Sequence, residues 1–188
     1  MTASERTKHL LANGLKELAA TTTLRKIRVG ELCERCGVDR RTFYYHFRDI
    51  YDLAAWIFDG TVIAYYPSKS LIRPTKEGLT RVLERFREEG AFYRSALAED
   101  SQNALGRYYV SRAVAMYSTV VQNTRGKEGL TEQEIFSITY HSIGTLGMIR
   151  RWLFLEPQRS AEEFAEYLIQ SMPPILRSLY EHEKEEAK

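Results

Sequence analysis

Cys33 and Cys36 stand three apart in the stretch CERCGVDRRTFYYHF, and His46 follows ten residues after Cys36. Thiols at this spacing can do redox chemistry or hold a metal. Tetrahedral zinc wants four ligands, and three candidates stand here. Free cysteine also behaves as a small apolar side chain. Core packing is therefore the first reading of the pair, with a redox switch and a metal site as alternatives. The same stretch carries a second set. Arg40, Arg41, Thr42, Tyr44, Tyr45 and His46 are polar and far-reaching, while Phe43 and Phe47, four apart, share an apolar face. Arginine makes bidentate bonds to guanine O6 and N7, and threonine offers a methyl to thymine and a hydroxyl to phosphate. Tyrosine and histidine reach phosphate oxygens. This second set suits a DNA groove. No Gly-rich phosphate loop, nucleophile elbow or paired-histidine motif accompanies it, so no enzyme is expected.

Short helices must place those side chains. Leu32, Cys33 and Cys36 supply the inward face of a helix read over Val29 to Arg35. Gly37 ends it as a left-handed C′ glycine, and Val38 plugs the space behind the turn. Asp39 caps a second helix, Arg40 to Phe47. Helix, glycine turn and helix within about twenty residues is the helix-turn-helix layout. Before it, Leu10, Leu11, Leu15, Leu18 and Ala19 recur at helical spacing behind Ser4 as N-cap, with Glu5 in the first turn. TTTLRKIRV is a β-branched connector. After it, Asp49 caps IYDLAAWIFDGTVIAYY, which Pro67 closes. PSKSLIRPTKEG holds two prolines and marks a boundary.

Long helical patterns follow: KEGLTRVLERFREEG, AFYRSALA and SQNALGRYYVSRAVAMYSTVVQNTRG, with GKEG as a loop tip. Thr131 with Glu134, and Ser160 with Glu163, form capping boxes that open two further helices. The first ends before Pro157, and Pro173 and Pro174 interrupt the second. The tail EHEKEEAK frays. No strand and no internal repeat is evident. The expected fold is all-α, with short helices first and a helical bundle after them.

The 188 residues allow one large domain, or a small one joined to a medium one. Hydrophobic residues at 44% and charged residues at 28% are ordinary for a globular chain, and twelve tyrosines supply material for cores, pockets or interfaces. The net charge of +2 says little. Residues 1–53, however, hold ten Lys/Arg against seven Asp/Glu, and the remainder seventeen against eighteen. The excess points to an anionic partner for the N-terminal quarter. Two cysteines give no disulfide framework, the polar start is no signal peptide, and every apolar run falls short of a membrane span. A cytoplasmic location, with no membrane partner, is expected.

The stretch IRVGELCERCGVDRRTFYYHFRDIYDL, Ile27 to Leu53, resembles the DNA-binding domain of the TetR family of bacterial transcriptional regulators. The G-V turn, T-F-Y-Y-H-F and the following D-L carry the likeness. SIGTLGMIRRWLFLEPQRSAEEFAEYLIQ resembles the family's dimerisation region, and AFYRSALAEDSQNALGRYY resembles a C-terminal variant found near dihydroxyacetone-kinase genes. The resemblance implies a homodimer on double-stranded operator DNA, more often a repressor, with half-sites about 34–36 Å apart. It implies a DNA-binding domain over residues 1–50 and a helical ligand-binding and dimerisation domain over 51–188, with an effector pocket in the latter. The alternative is a co-regulator whose C-terminal domain responds to a protein partner and not to a small molecule.

Carried over by position, base reading falls on Arg40, Arg41 and Thr42, and phosphate contact on Tyr44, Tyr45 and His46. Two positions depart from the family. Arg28 stands where many members have a phosphate-touching threonine, and Ile50 where many have lysine. Arg28, Arg48 and Lys26 are the substitutes for that grip. Members usually carry small residues such as alanine where Cys33 and Cys36 stand. The effector-pocket candidates are Tyr109, Arg112, Met116, Tyr117, His141 and Trp152, aromatic walls with a few polar groups; plain core is the alternative. Gly144 and Gly147 each cost a helix about 1 kcal/mol against alanine. With Ser142 and Thr145 they are expected at the dimer interface, a tight intrachain crossing being the alternative. No cofactor and no metal is expected.

Overall fold

The computed structural model describes residues 1–65, 74–98, 104–125 and 129–181. Pro67, and most of the PSKSLIRPTKEG, GKEG and EHEKEEAK stretches, lie outside them. Among the described residues all regular structure is helical. The head comprises α1 (Ala3–Ala19), α2 (Val29–Cys36) and α3 (Arg40–His46), with a 3-10 turn at Leu24–Lys26. The bundle comprises α4 (Ile50–Tyr65), α5 (Lys76–Glu88), α6 (Gly90–Leu97), α7 (Ala104–Arg125), α8 (Glu132–Leu155), α9 (Ala161–Gln170) and α10 (Pro174–Glu181).

Local chemistry sets most of these ends. α1 opens two residues earlier than its expected cap. Thr2, and not Ser4, accepts from the Glu5 amide at 3.2 Å, and the Glu5 carboxylate accepts from the Thr2 amide at 2.6 Å. That reciprocal pair satisfies two otherwise orphaned donors. Leu10 also departs from the expected inward face: it is exposed, while Leu11, Leu15 and Leu18 point inward. Thr131 and Glu134 form the expected box at the start of α8. The box at α9 is only half made. Ser160 accepts from the Glu163 amide at 3.1 Å, but the Glu163 carboxylate turns to Arg159 instead. Pro173 and Pro174 split the last helical pattern, and Pro174 starts α10, where its missing N–H costs nothing.

One core runs through the head and into the bundle. α1 packs on α2, α4 and α6. Leu11, Leu15, Leu32 and Phe43 of the head join Leu53, Phe58, Phe86 and Tyr93 beyond it. Polar ties reinforce the junction: the Leu24 amide donates to Ser95 Oγ at 2.6 Å, and Lys16 pairs with Glu89 at 2.6 Å. The hydroxyls of Thr61 and Tyr93 share a buried hydrogen bond at 2.9 Å. A second, smaller core gathers Tyr117, Val121, Ile138, Met172, Leu176 and Tyr180 where α10 seals α7 and α8. No helix among the described residues is long and apolar enough to cross a membrane.

Candidate nucleic-acid interface

Gly37 makes the turn of the head. Its φ of 63° and ψ of 32° place it in the left-handed region, which glycine enters without a Cβ penalty. The Val38 amide donates back to the Cys33 carbonyl at 3.0 Å and closes α2. Asp39 then opens α3, accepting from the Thr42 amide at 2.8 Å and from the Thr42 hydroxyl at 3.0 Å. Those bonds hold the Asp39 carboxyl below its ordinary range. Phe43 and Phe47 are buried, and Phe47 packs edge-on against Trp56 of α4, ring centroids 5.9 Å apart. Anchoring that side of α3 aims the opposite side at solvent.

Arg41, Tyr44 and Tyr45 occupy that outer side at i, i+3 and i+4, with Tyr44 58% and Tyr45 81% exposed. His46 is half-buried, its ring edge-on to Tyr45 at 4.9 Å. Thr42 differs from the sequence expectation: its hydroxyl is bonded to the Asp39 cap, so the methyl is what it has left to present. Arg40 does not extend from α3 beside Arg41. Its guanidinium lies against α2 at Gly30, where an added Cβ would collide with it. Arg28, Arg40, Tyr44 and Tyr51 rim a shallow cleft of about 490 Å³ at the start of α2. Arg28 makes no side-chain cap there, so the first amides of α2 are not satisfied by its side chain, and such amides favour anions. Arg48 is held by Asp52, its amide at 3.0 Å and its Nη2 at 3.2 Å from the carboxylate oxygens. Lys26 is exposed at the end of the 3-10 turn.

The cysteines sit behind this surface. Cys33 is buried, and the half-buried Cys36 donates its thiol to the Leu10 carbonyl at 3.6 Å. Gly14 of α1 makes room, since a Cβ there would collide with Cys36 Sγ. Burial pushes both thiols above their ordinary range, which disfavours the reactive thiolate. Among the described residues no group of three or more His, Cys, Asp or Glu side chains could hold a metal.

In the bundle, Tyr109, Arg112, Met116 and Tyr117 meet around a cavity of about 70 Å³. His141 and Trp152 do not line it. Trp152 faces α9, stacked on Phe164 at 4.9 Å, donating to the Arg159 carbonyl at 3.0 Å and covered by the Arg87 guanidinium. His141 sits 3.3 Å from Thr145 Oγ1 with its ring edge-on to Tyr117 at 6.0 Å, and burial lowers its pKa. Sequence reasoning missed Asp59, which accepts from the Tyr108 hydroxyl at 2.5 Å and from Arg112 Nε at 3.2 Å. The signal was present: Asp59 is a lone charge in the apolar run AAWIFDGTVIAYY.

Gly144 and Gly147 lie on the outer side of α8 with nothing within 4 Å of an added Cβ. Phe136, Tyr140, Ile143 and Met148 are exposed on the same side. Between α8 and α9 runs an apolar groove of about 590 Å³, lined by Tyr140, Gly144, Thr145, Met148 and Tyr167 among others. Ser142 departs from this set. It is buried, and its hydroxyl donates to the Ile138 carbonyl at 2.8 Å.

A helix-turn-helix head joined to an all-helical bundle defines a DNA-binding regulator of transcription. Residues 75–173, over half of the chain, match the sequence model of a transcriptional regulator C-terminal region, and the chain belongs to the TetR family of transcriptional regulators, whose members are not enzymes. Solved structures share the fold. The dihydroxyacetone kinase operon activator DhaS superposes with a TM-score of 0.62 at 17% identity, covering 92% of this chain and 96% of that one. A TetR regulator from Rhodococcus sp. RHA1 gives 0.59 at 16%, covering 92% and 98%. One from Streptococcus agalactiae 2603V gives 0.58 at 16%, covering 94% and 95%. Among curated proteins no sequence match was found.

Proposed function

We propose that this regulator is a homodimeric repressor that reads operator DNA with α3 and is released by an effector bound in its bundle. The observation that carries the reading is the outward side of α3, where Arg41, Tyr44 and Tyr45 stand exposed over a buried Phe43 and Phe47. Residues 1–50 act as the DNA-binding domain and residues 51–188 as the ligand-binding and dimerisation domain. Arg41 and the Thr42 methyl meet base edges. Arg28, Arg40, Tyr44, Tyr45, His46 and Arg48 hold phosphates. A second copy covers the α8–α9 groove across a two-fold axis, burying Tyr140, Gly144, Thr145 and Gly147 against their equivalents. The cavity beside Tyr109, Arg112, Met116 and Tyr117 receives the effector.

In vitro selection of bound DNA from a random pool tests the core of this reading. Recovery of an inverted repeat with half-sites about one helical turn apart is expected; a pool without sequence enrichment would contradict it. A reporter driven by the selected operator decides the sign. Lower expression in the presence of the protein supports repression, and higher expression makes it an activator.

A further inference from the structure

We propose that the bundle cavity binds a short aliphatic carboxylate whose head group competes with Asp59 for Arg112. The inference rests on the reading of the bundle as an effector domain and names the ligand class and the regulation of that site. Among the described residues Arg112 is the one charged side chain lining the cavity, and the wall around it is apolar or phenolic: Phe58 and Val62 from α4, Leu83 and Phe86 from α5, Tyr109 and Met116 from α7. Such a lining accepts an apolar body with a single anionic end.

The anionic end is specified by what Arg112 already holds. Its Nε is 3.2 Å from Asp59 Oδ1, while the Tyr108 hydroxyl donates to Asp59 Oδ2 at 2.5 Å. A ligand carboxylate presents the same planar acceptor to the same guanidinium. The Arg112 and Asp59 side chains are 41% and 27% exposed, so the pair lies near water. An ion pair so exposed is weak and open to exchange. The size of the body is specified by the space. At roughly 10–15 Å³ per water-sized group, a cavity of about 70 Å³ takes about five to seven groups, the tail of an acid with about six to eight carbons.

Exchange at Arg112 would be felt in the head. Asp59 and Phe58 belong to α4, whose first turns place Ile50 and Leu53 in the core shared with Phe43 and Phe47. With Arg112 turned to the ligand, Asp59 keeps Tyr108 but faces a second negative charge. That repulsion favours a displaced α4, and the ligand shifts the equilibrium only because it binds that arrangement better.

Titration calorimetry of the full chain with hexanoate, 1-hexanol and decanoate tests the proposal, together with gel shifts on the selected operator. Hexanoate is expected to bind about tenfold or more tighter than 1-hexanol, to bind more tightly than decanoate, and to weaken operator binding. Arg112→Gln should bring hexanoate and 1-hexanol level. Asp59→Asn keeps an acceptor for Tyr108 but removes the competing charge, and should tighten hexanoate about tenfold. Equal binding of hexanoate and 1-hexanol by the wild-type chain would leave an effector cavity and overturn the carboxylate site. Unchanged or weaker hexanoate binding by a folded Asp59→Asn variant would overturn the competition, and tighter decanoate binding the size limit. If none of the three binds while operator binding is intact, the carboxylate proposal is overturned, and the effector-pocket reading passes to ligands of other chemistry.

Discussion

Tyr45 on α3 and Tyr140 on α8 are 81% and 73% exposed, and their surroundings differ. Tyr45 stands with Arg41, the half-buried His46 and Arg48, on a short helix whose opposite side is locked by Phe43 and Phe47. Tyr140 stands with Phe136, whose ring stacks on it at 6.3 Å, and with Ile143 and Gly144, on a side without a charged residue until Arg151. An exposed ring among guanidinium groups suits a polyanion, where it reaches phosphate and leaves charge to its neighbours. An exposed ring among apolar side chains and glycines suits an apolar partner brought close. Exposure alone does not separate these uses; the charge of the neighbours does.

The largest effect that would break this contrast comes from giving the α8 side a charge. In the proposed dimer, Tyr140→Asp would bury an unpaired carboxylate on both sides of the two-fold axis, at a cost on the order of 3–5 kcal/mol for each uncompensated charge. Sedimentation velocity should find monomers, and operator affinity should fall with them; an undisturbed dimer would move the interface off α8. On the α3 side, Arg41→Ala is expected to cost about 1–3 kcal/mol for its preferred base and to relax specificity there. Arg40→Ala should instead weaken all sequences alike and reduce the salt slope by about one, because its guanidinium lies against α2 at Gly30. Swapped behaviour of the two arginines in gel-shift titrations would reverse their roles.

Gly37→Ala meets no neighbour within 4 Å, so only its positive φ is penalised. A loss of about 1–2 kcal/mol in chemical denaturation is expected, and no loss would mean the turn relaxes. The smallest effect belongs to the cysteines. Their thiols are raised by burial, so iodoacetamide should label them slowly near neutral pH and faster as pH rises toward the raised pKa. Operator affinity should be equal in reducing and oxidising buffer. Rapid labelling at neutral pH would return Cys33 and Cys36 to the redox reading.

Much of the head was legible because its signals are local. Gly37, Asp39 and the Phe43–Phe47 pair each act within one turn of chain, so residue type and spacing suffice to place them. The true start of α1 was legible too, as Thr2 with Glu5, but Ser4 offered a competing cap. The bundle was less legible. Trp152 and Tyr109 look alike in sequence, yet one faces α9 and the other α4 and α5, because each long helix has neighbours on several sides. Gly30 and Gly14 gave no hint that Arg40 and Cys36 would lie across them, since those contacts join different helices.

Periodicity, caps and the glycine turn determine by themselves that the described residues are helical and that Phe43 and Phe47 of α3 face inward while Arg41, Tyr44 and Tyr45 face out. Those properties depend on backbone geometry over a few residues. Tertiary packing alone decided that Ser142 turns inward while Gly144 and Gly147 stay open, and that Asp59 meets Arg112 across two helices. A helix determines which residues share a side; only the bodies packed against it determine which side is covered.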